Sequence, residues 1–250
     1  MHRFRLGTVL GTGFRIWLRN APSFLLITAI LLSPFLIWAV LLVQGEPPLA
    51  VRRADVERYL YATAFTPLFT ILASTGLVYG VVKELSGSSS PAPFLRCFGA
   101  GLARFVPALG AAVLATIAVI AGLIAWMVPG VIAMCMLYVT TQAAVLERPG
   151  PFGALARSYV LTRGHRVEIF AILLLFWVTN RGVSFAIGLA LEGAMQDASI
   201  HDAVRLAVYL DLAHTVIVAS LASVVASTAY HHLRLEKEGT SAGELAQVFA

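Results

Sequence analysis

Long stretches free of charge alternate with short ones in which arginines are scattered among apolar residues, and this alternation organises the chain. Between Arg104 and Glu147 stand 42 residues without an Asp, Glu, Lys or Arg. One helix of that length would run about 60 Å, twice a hydrocarbon core, so the run predicts two spans. Pro129-Gly130 lies inside it, and a residue without an amide donor next to one without a Cβ makes a hairpin turn cheap there. The same criterion predicts spans near 21–43, 59–82, 106–127, 131–147, 167–191 and 203–231. The fourth is short, the fifth is interrupted by Asn180-Arg181 and the sixth by Asp211.

Ahead of each odd-numbered span comes a stretch with apolar residues at helical spacing, too short to cross a bilayer. The first runs through Phe4, Val9, Phe14 and Trp17, the second opens Pro93-Phe94-Leu95-Arg96, and the third runs from Pro151-Phe152 to Arg163-Gly164. Gly164 is suited to end a helix in left-handed conformation. The two Pro-Phe openings hint at an internal repeat of three units, each an elbow in the membrane interface followed by a hairpin. The expectation is therefore all-α: one integral membrane domain over 1–250, a polytopic bundle of six transmembrane helices. Amphipathic interfacial helices precede helices 1, 3 and 5, and residues 232–250 form a cytoplasmic tail. In this reading Arg3, Arg5, Arg15, Arg19, Arg96 and Arg104 meet lipid headgroups. Glu147, within reach of Arg148, Arg157 or Arg163, ties the third elbow to the preceding hairpin by an ion pair.

Composition removes the soluble alternative. With 59% hydrophobic and 12% charged residues and a mean hydropathy of +0.84, the chain holds more apolar surface than one water-soluble domain can bury. Basic residues then give an orientation. One set of span ends collects 13 of them, from Arg3 through Lys83, Arg96 and Arg157 to Lys237, while the other has Arg52, Arg53, Arg58 and Arg205 among acids. The excess predicts both termini in the cytoplasm. The high pI of 9.6 is thus a topology signal, and nucleic acid is not an expected partner. The first hydrophobic run is too long for a signal-peptide core and lacks a small-x-small cleavage site, so it reads as a permanent helix. Cys97 and Cys135 lie in different environments and predict no disulfide.

Two charges fall deep inside predicted spans. Arg181 is 11 residues before Glu192, about 16 Å along a helix, and Asp211 is 9 residues after Asp202, about 13 Å from the same side. Buried charge at one depth predicts a salt bridge between the fifth and sixth helices, with Asn180 and His214 as hydrogen-bonding neighbours. Such a pair either fixes the register of the two helices or forms a polar pathway for an ion, proton or anionic headgroup.

Candidate chemistry is otherwise sparse. No paired acids, nucleophile–base arrangement or Cys/His ligand spacing accompanies Glu147, so neither catalysis, a metal nor a cofactor is expected. Gly7, Gly11 and Gly13 follow no strand, which argues against a phosphate loop. His231-His232 read as interfacial residues, and Arg234, Glu236, Lys237 and Glu238 as a solvated last turn with intrahelical pairs. Gly182, Gly188 and Gly193 suit close helix packing.

Several of these residues carry a resemblance. Val128-Pro129-Gly130-Val131, Ala144-Val145-Leu146-Glu147, Gly150-Pro151, Ala154-Leu155, Arg157-Ser158 and Leu161-Thr162-Arg163-Gly164 resemble the bacterial YciC-like integral membrane family. They also resemble the related membrane domain of glycerophosphoryl diester phosphodiesterases. Tyr230-His231-His232-Leu233-Arg234-Leu235-Glu236-Lys237-Glu238-Gly239 is similar to that family's ending. The resemblance covers roughly 128–164 and 230–245, the first hundred residues matching in pattern only. It implies a six-helix domain with cytoplasmic termini in the bacterial inner membrane, sometimes fused to a soluble phosphodiesterase domain that these 250 residues do not contain. The expected function is that of a noncatalytic scaffold or accessory subunit. Its partners would be membrane lipids, with room for a membrane or cytosolic protein or a second copy. The alternatives are a small transporter or channel built on Arg181 and Asp211, and a lipid-modifying enzyme.

Overall fold

The computed structural model describes residues 4–44, 70–71, 73–86, 94–194 and 200–239, and every regular element among them is a helix. In chain order these are α1 (Leu6–Arg19), α2 (Ala21–Gln44), α3 (73–85), α4 (Phe94–Ala103) and α5 (Phe105–Ala125). They continue with α6 (Met127–Met136), α7 (Thr140–Glu147), α8 (Gly150–Thr162), α9 (Arg166–Ala194) and α10 (Ile200–Glu238). Five helical segments are long and apolar enough to cross a membrane: Ala21–Leu41, Phe105–Ala125, Met127–Glu147, Arg166–Ala190 and Arg205–Glu238. Such helices, with Ile37, Leu41, Ile124, Trp177 and Phe185 each more than half exposed, suggest a membrane protein. The expected second span, 59–82, falls partly outside the described residues, so five spans and not six are assigned. The expected tail beyond Gly239 falls outside them as well.

The chain repeats one arrangement three times. A short helix leads into a long one and then into another: α1–α2–α3, α4–α5–α6/α7 and α8–α9–α10. At each short-to-long junction sits a polar residue that reaches the last turns of the same group's final helix. Asn20 donates Nδ2–H to Glu84 at 3.0 Å, Arg104 donates to the Val145 carbonyl at 2.6 Å, and His165 Nε2 stands 3.3 Å from Glu236. Backbone groups at helix ends lack intrahelical partners, which is why each tie lands where the helical ladder runs out or an end carboxylate waits.

Each short helix also docks on the group before it. In α4, a Cβ on Gly101 would stand 2.8 Å from the Gly76 backbone of α3, and Thr75 donates its hydroxyl to the Gly101 carbonyl at 3.1 Å. Small residues permit this close approach of two backbones. In α8, Ser158 and Thr162 donate to the Met136 carbonyl at 2.8 and 3.1 Å. That carbonyl is orphaned because the Thr140 amide turns back to Leu137 at 3.2 Å, which separates α6 from α7. The seat of α1 is on the last group: Gly13 faces Val225, and Trp17 donates Nε1–H to Ser220 at 2.9 Å. The three groups therefore close on themselves.

Two buried clusters fill the interior. The larger joins Val9, Val78, Ala143, Leu161, Ile172 and Tyr230, and the smaller joins Ile16, Phe24, Leu77, Val81, Cys97 and Val224. Polar residues on the inner stripe of α10 bond to their own helix: Ser223, Ser227 and Thr228 donate to carbonyls four residues back at 2.8–2.9 Å. A hydroxyl satisfied this way can lie in an apolar interior without an unpaired donor.

The hairpin between α5 and α6 departs from expectation. The chain reverses at Trp126, whose backbone is extended at φ −172°, ψ 149°, and not at Pro129-Gly130. Pro129 occupies the first turn of α6, where its missing amide would have had no partner in any case. Gly130 serves packing: a Cβ on Gly122 would come within 3.0 Å of its Cα.

Candidate functional site at the charged end of the bundle

The ends of α3, α7 and α10 lie with the short helices, and most of the described charge gathers there. The main cluster forms where α7, α8 and α10 meet. Glu147, the last residue of α7, accepts the Tyr230 hydroxyl at 2.5 Å and has Arg157 Nε at 2.6 Å and Arg234 at 3.9 Å. Arg157 also pairs with Glu238, which Arg234 holds from four residues back at 3.0 Å. Two acids and two arginines thus alternate, with Tyr230 as a neutral donor from the core. Burial alone would push the Arg157 guanidinium down, but Glu147 and Glu238 override it and hold Arg157 above its ordinary value.

Neighbouring contacts extend the cluster. Lys237 spans from α10 to α8, its Nζ donating to the carbonyls of Val160 and Arg163 at 2.6 and 2.9 Å. These are end carbonyls of α8, whose chain leaves through Gly164 at φ +97°. Glu236 receives the Phe4 amide at 2.6 Å in addition to His165, so the start of the chain is fastened to the end of α10. On the far side of α1, Glu84 takes Arg19 at 3.5 Å beside Asn20.

Of the arginines expected near Glu147, Arg157 reaches it, Arg148 is exposed in a left-handed backbone at φ 54°, and Arg163 is exposed. Arg5, Arg15 and Arg96 are exposed, and Arg3 lies outside the described residues. Arg104 does not reach out to a headgroup: its side chain is buried and clamps α7 to the start of α5. Burial, and then the charge of Arg148, lowers the Arg104 pKa from its usual range.

Two further expectations change. The last turn of α10 is not merely solvated, since Glu236, Lys237 and Glu238 all bind residues outside α10. His231 is buried at 8% exposure and not interfacial.

Arg181 and Asp211 do not meet. Both are exposed, and no ion pair or hydrogen bond joins them to one another, to Asn180 or to His214 among the described residues. Depth fixes height along a helix but not direction around it. At about 100° per residue, Arg181 lies about 180° round α9 from buried Ile172, and Asp211 about 180° round α10 from buried Ser220.

Sequence reasoning missed the junction ties. A polar residue at each short-to-long boundary, matched by an acid or a helix end one hairpin later, is the signal that aligning the three units would have exposed. Both cysteines are buried and unpaired by a disulfide, and no group of three potential metal ligands occurs among the described residues. Compared with family models, curated proteins and solved structures, the chain matches none of them.

Proposed function

We propose that this is a noncatalytic integral membrane protein acting as a scaffold or accessory subunit, which engages anionic lipid headgroups or a partner protein at its basic end. One observation carries the reading. Every described acid at that end is engaged by the protein itself, Glu84 by Asn20 and Arg19, Glu147 and Glu238 by Arg157, Glu168 and Glu236 by His165. Arg5, Arg15, Arg96, Arg148 and Arg163 remain exposed around them. The result is an outward positive field over a tied-down framework, suited to phosphate-bearing lipids and to acidic partner surfaces. Each of these acids is held by partners on other segments of the chain or a turn away, an arrangement that favours structure over proton transfer.

In this reading the basic end faces the cytoplasm of a bacterium, α1, α4 and α8 lie in the inner-membrane interface, and the fold is that of the YciC-like family. Exposed Phe152, Tyr159 and Leu95 on α8 and α4 support an interfacial placement. The transporter reading rests on an inward-facing pair, and Arg181 and Asp211 are both exposed.

Purification of the full chain in mild detergent, with native mass spectrometry of what remains bound, tests the proposal. Retained phosphatidylglycerol that is lost in an Arg5→Gln, Arg15→Gln, Arg96→Gln variant supports lipid engagement. A stoichiometric protein lost in the same variant supports the accessory role. Retention of neither by the wild type overturns both.

A further inference from the structure

Arg181 and Asp211 are two charges set on outward faces of helices that qualify as membrane spans. Arg181 is 13 residues from the end of α9 and Asp211 is 11 from the start of α10, so along the packed pair they lie about 20 and 17 Å from the connection. They share a layer, differing in height by about 3 Å. The surface around Arg181 is apolar, with Trp177 61%, Val178 51% and Phe185 69% exposed, and Gly188, two turns along, has open space where a Cβ would stand. Charged groups at such depth are rare and pair with one another.

We infer that this surface docks a second copy of the chain, with Arg181 of each copy facing Asp211 of the other. A twofold contact makes residue i meet residue j and residue j meet residue i, so one surface carrying both signs satisfies both charges twice. A lipid phosphate would serve Arg181 but leave Asp211 unmatched, whereas a second copy serves both. Gly188 allows the backbones of the two copies to approach. The inference rests on the membrane reading and is independent of what the basic end binds.

The test is capture between two differently tagged full-length copies, reconstituted together in phospholipid vesicles at high lipid excess. Wild-type copies are expected to capture one another. Arg181→Gln and Asp211→Asn, which leave no uncompensated charge of their own, are expected to lower capture about tenfold or more with insertion unchanged. Charge reversal then separates pairing between chains from pairing within one. Arg181→Asp in one copy and Asp211→Arg in the other fail with themselves but capture each other, because both contacts of the mixed pair are restored. Wild-type copies that stay apart, neutral variants that capture as wild type does, or rescue only when both reversals share one chain would each overturn the inference. So would a monomer that retains an anionic phospholipid lost on Arg181→Gln.

Discussion

Tyr230, near the end of α10's buried stripe, gives its hydroxyl to Glu147 at the end of α7, across 83 residues of sequence, with 2.5 Å between the oxygens. The ring belongs to the larger apolar cluster and the oxygen to the charged one, so this residue is where packing and electrostatics meet. Tyr230→Phe keeps the ring and removes only the donor. A hydrogen bond to a charged group contributes about 1.5–3 kcal/mol, and Glu147 keeps Arg157, so a loss of about 1–2 kcal/mol is expected. Reversible unfolding in mixed micelles measures it, and an unchanged midpoint would show that the hydroxyl contributes nothing.

Two ion pairs differ in exposure and should differ in strength. Arg157 and Glu147 are 21% and 17% exposed, whereas Arg19, the partner of Glu84, is 48% exposed. A double-mutant cycle with Gln replacements should give a coupling of about 1 kcal/mol or more for the first and less than about 0.5 for the second. Equal couplings would contradict the view that shielding by α8 and α10 matters.

Close backbone contacts predict which glycines tolerate a methyl group. A Cβ at Gly130 would come 2.8 Å from Leu123 Cα, and one at Gly101 would come 2.8 Å from Gly76 Cα, while Gly11 in α1 has nothing within 4 Å. Gly130→Ala and Gly101→Ala should each cost about 1–3 kcal/mol through overpacking. Gly11→Ala should be neutral or stabilise by up to about 1 kcal/mol. The same unfolding experiment checks all three, and a costly Gly11→Ala would show that helix propensity is not what governs α1.

Cys97 is fully buried, and burial pushes its thiol up to about 11 from 9.0. Only the thiolate reacts, so alkylation at pH 8 should be slower in the folded protein than in the unfolded chain by about a hundredfold, before any loss of access. The sign of the stability effect follows. The unfolded chain gives up this proton first, so the group's contribution fades as pH rises above about 9 and levels off near 11. Matching labelling rates in folded and unfolded protein would contradict this.

The spans were readable because absence of charge over 20 or more residues admits few structures other than a membrane helix. Direction around a helix was not readable. Arg181 and Asp211 matched in depth, yet their positions relative to Ile172 and Ser220 turn both outward. Arg104 resembles Arg96 in sequence context, and only the approach of α7 makes it a clamp on Val145 while Arg96 stays exposed. Pro129-Gly130 suits both a turn and a first helical turn, and the close approach to Gly122 decides for the second. Glu147 was identified by its place at a span's end, but Tyr230 and Glu238 come from a helix 83 residues or more away, beyond any local pattern.

The docking of α1 against α10 fixes an order of assembly. As the ribosome releases this polypeptide, α4 and α8 each find their seat already made, because the hairpin they rest on precedes them. The seat of α1 on α10 is made last, since Val225 and Ser220 are synthesised more than two hundred residues after Gly13 and Trp17. Its docking is therefore a late step, and the contact it makes is the latch that joins the first group of helices to the last.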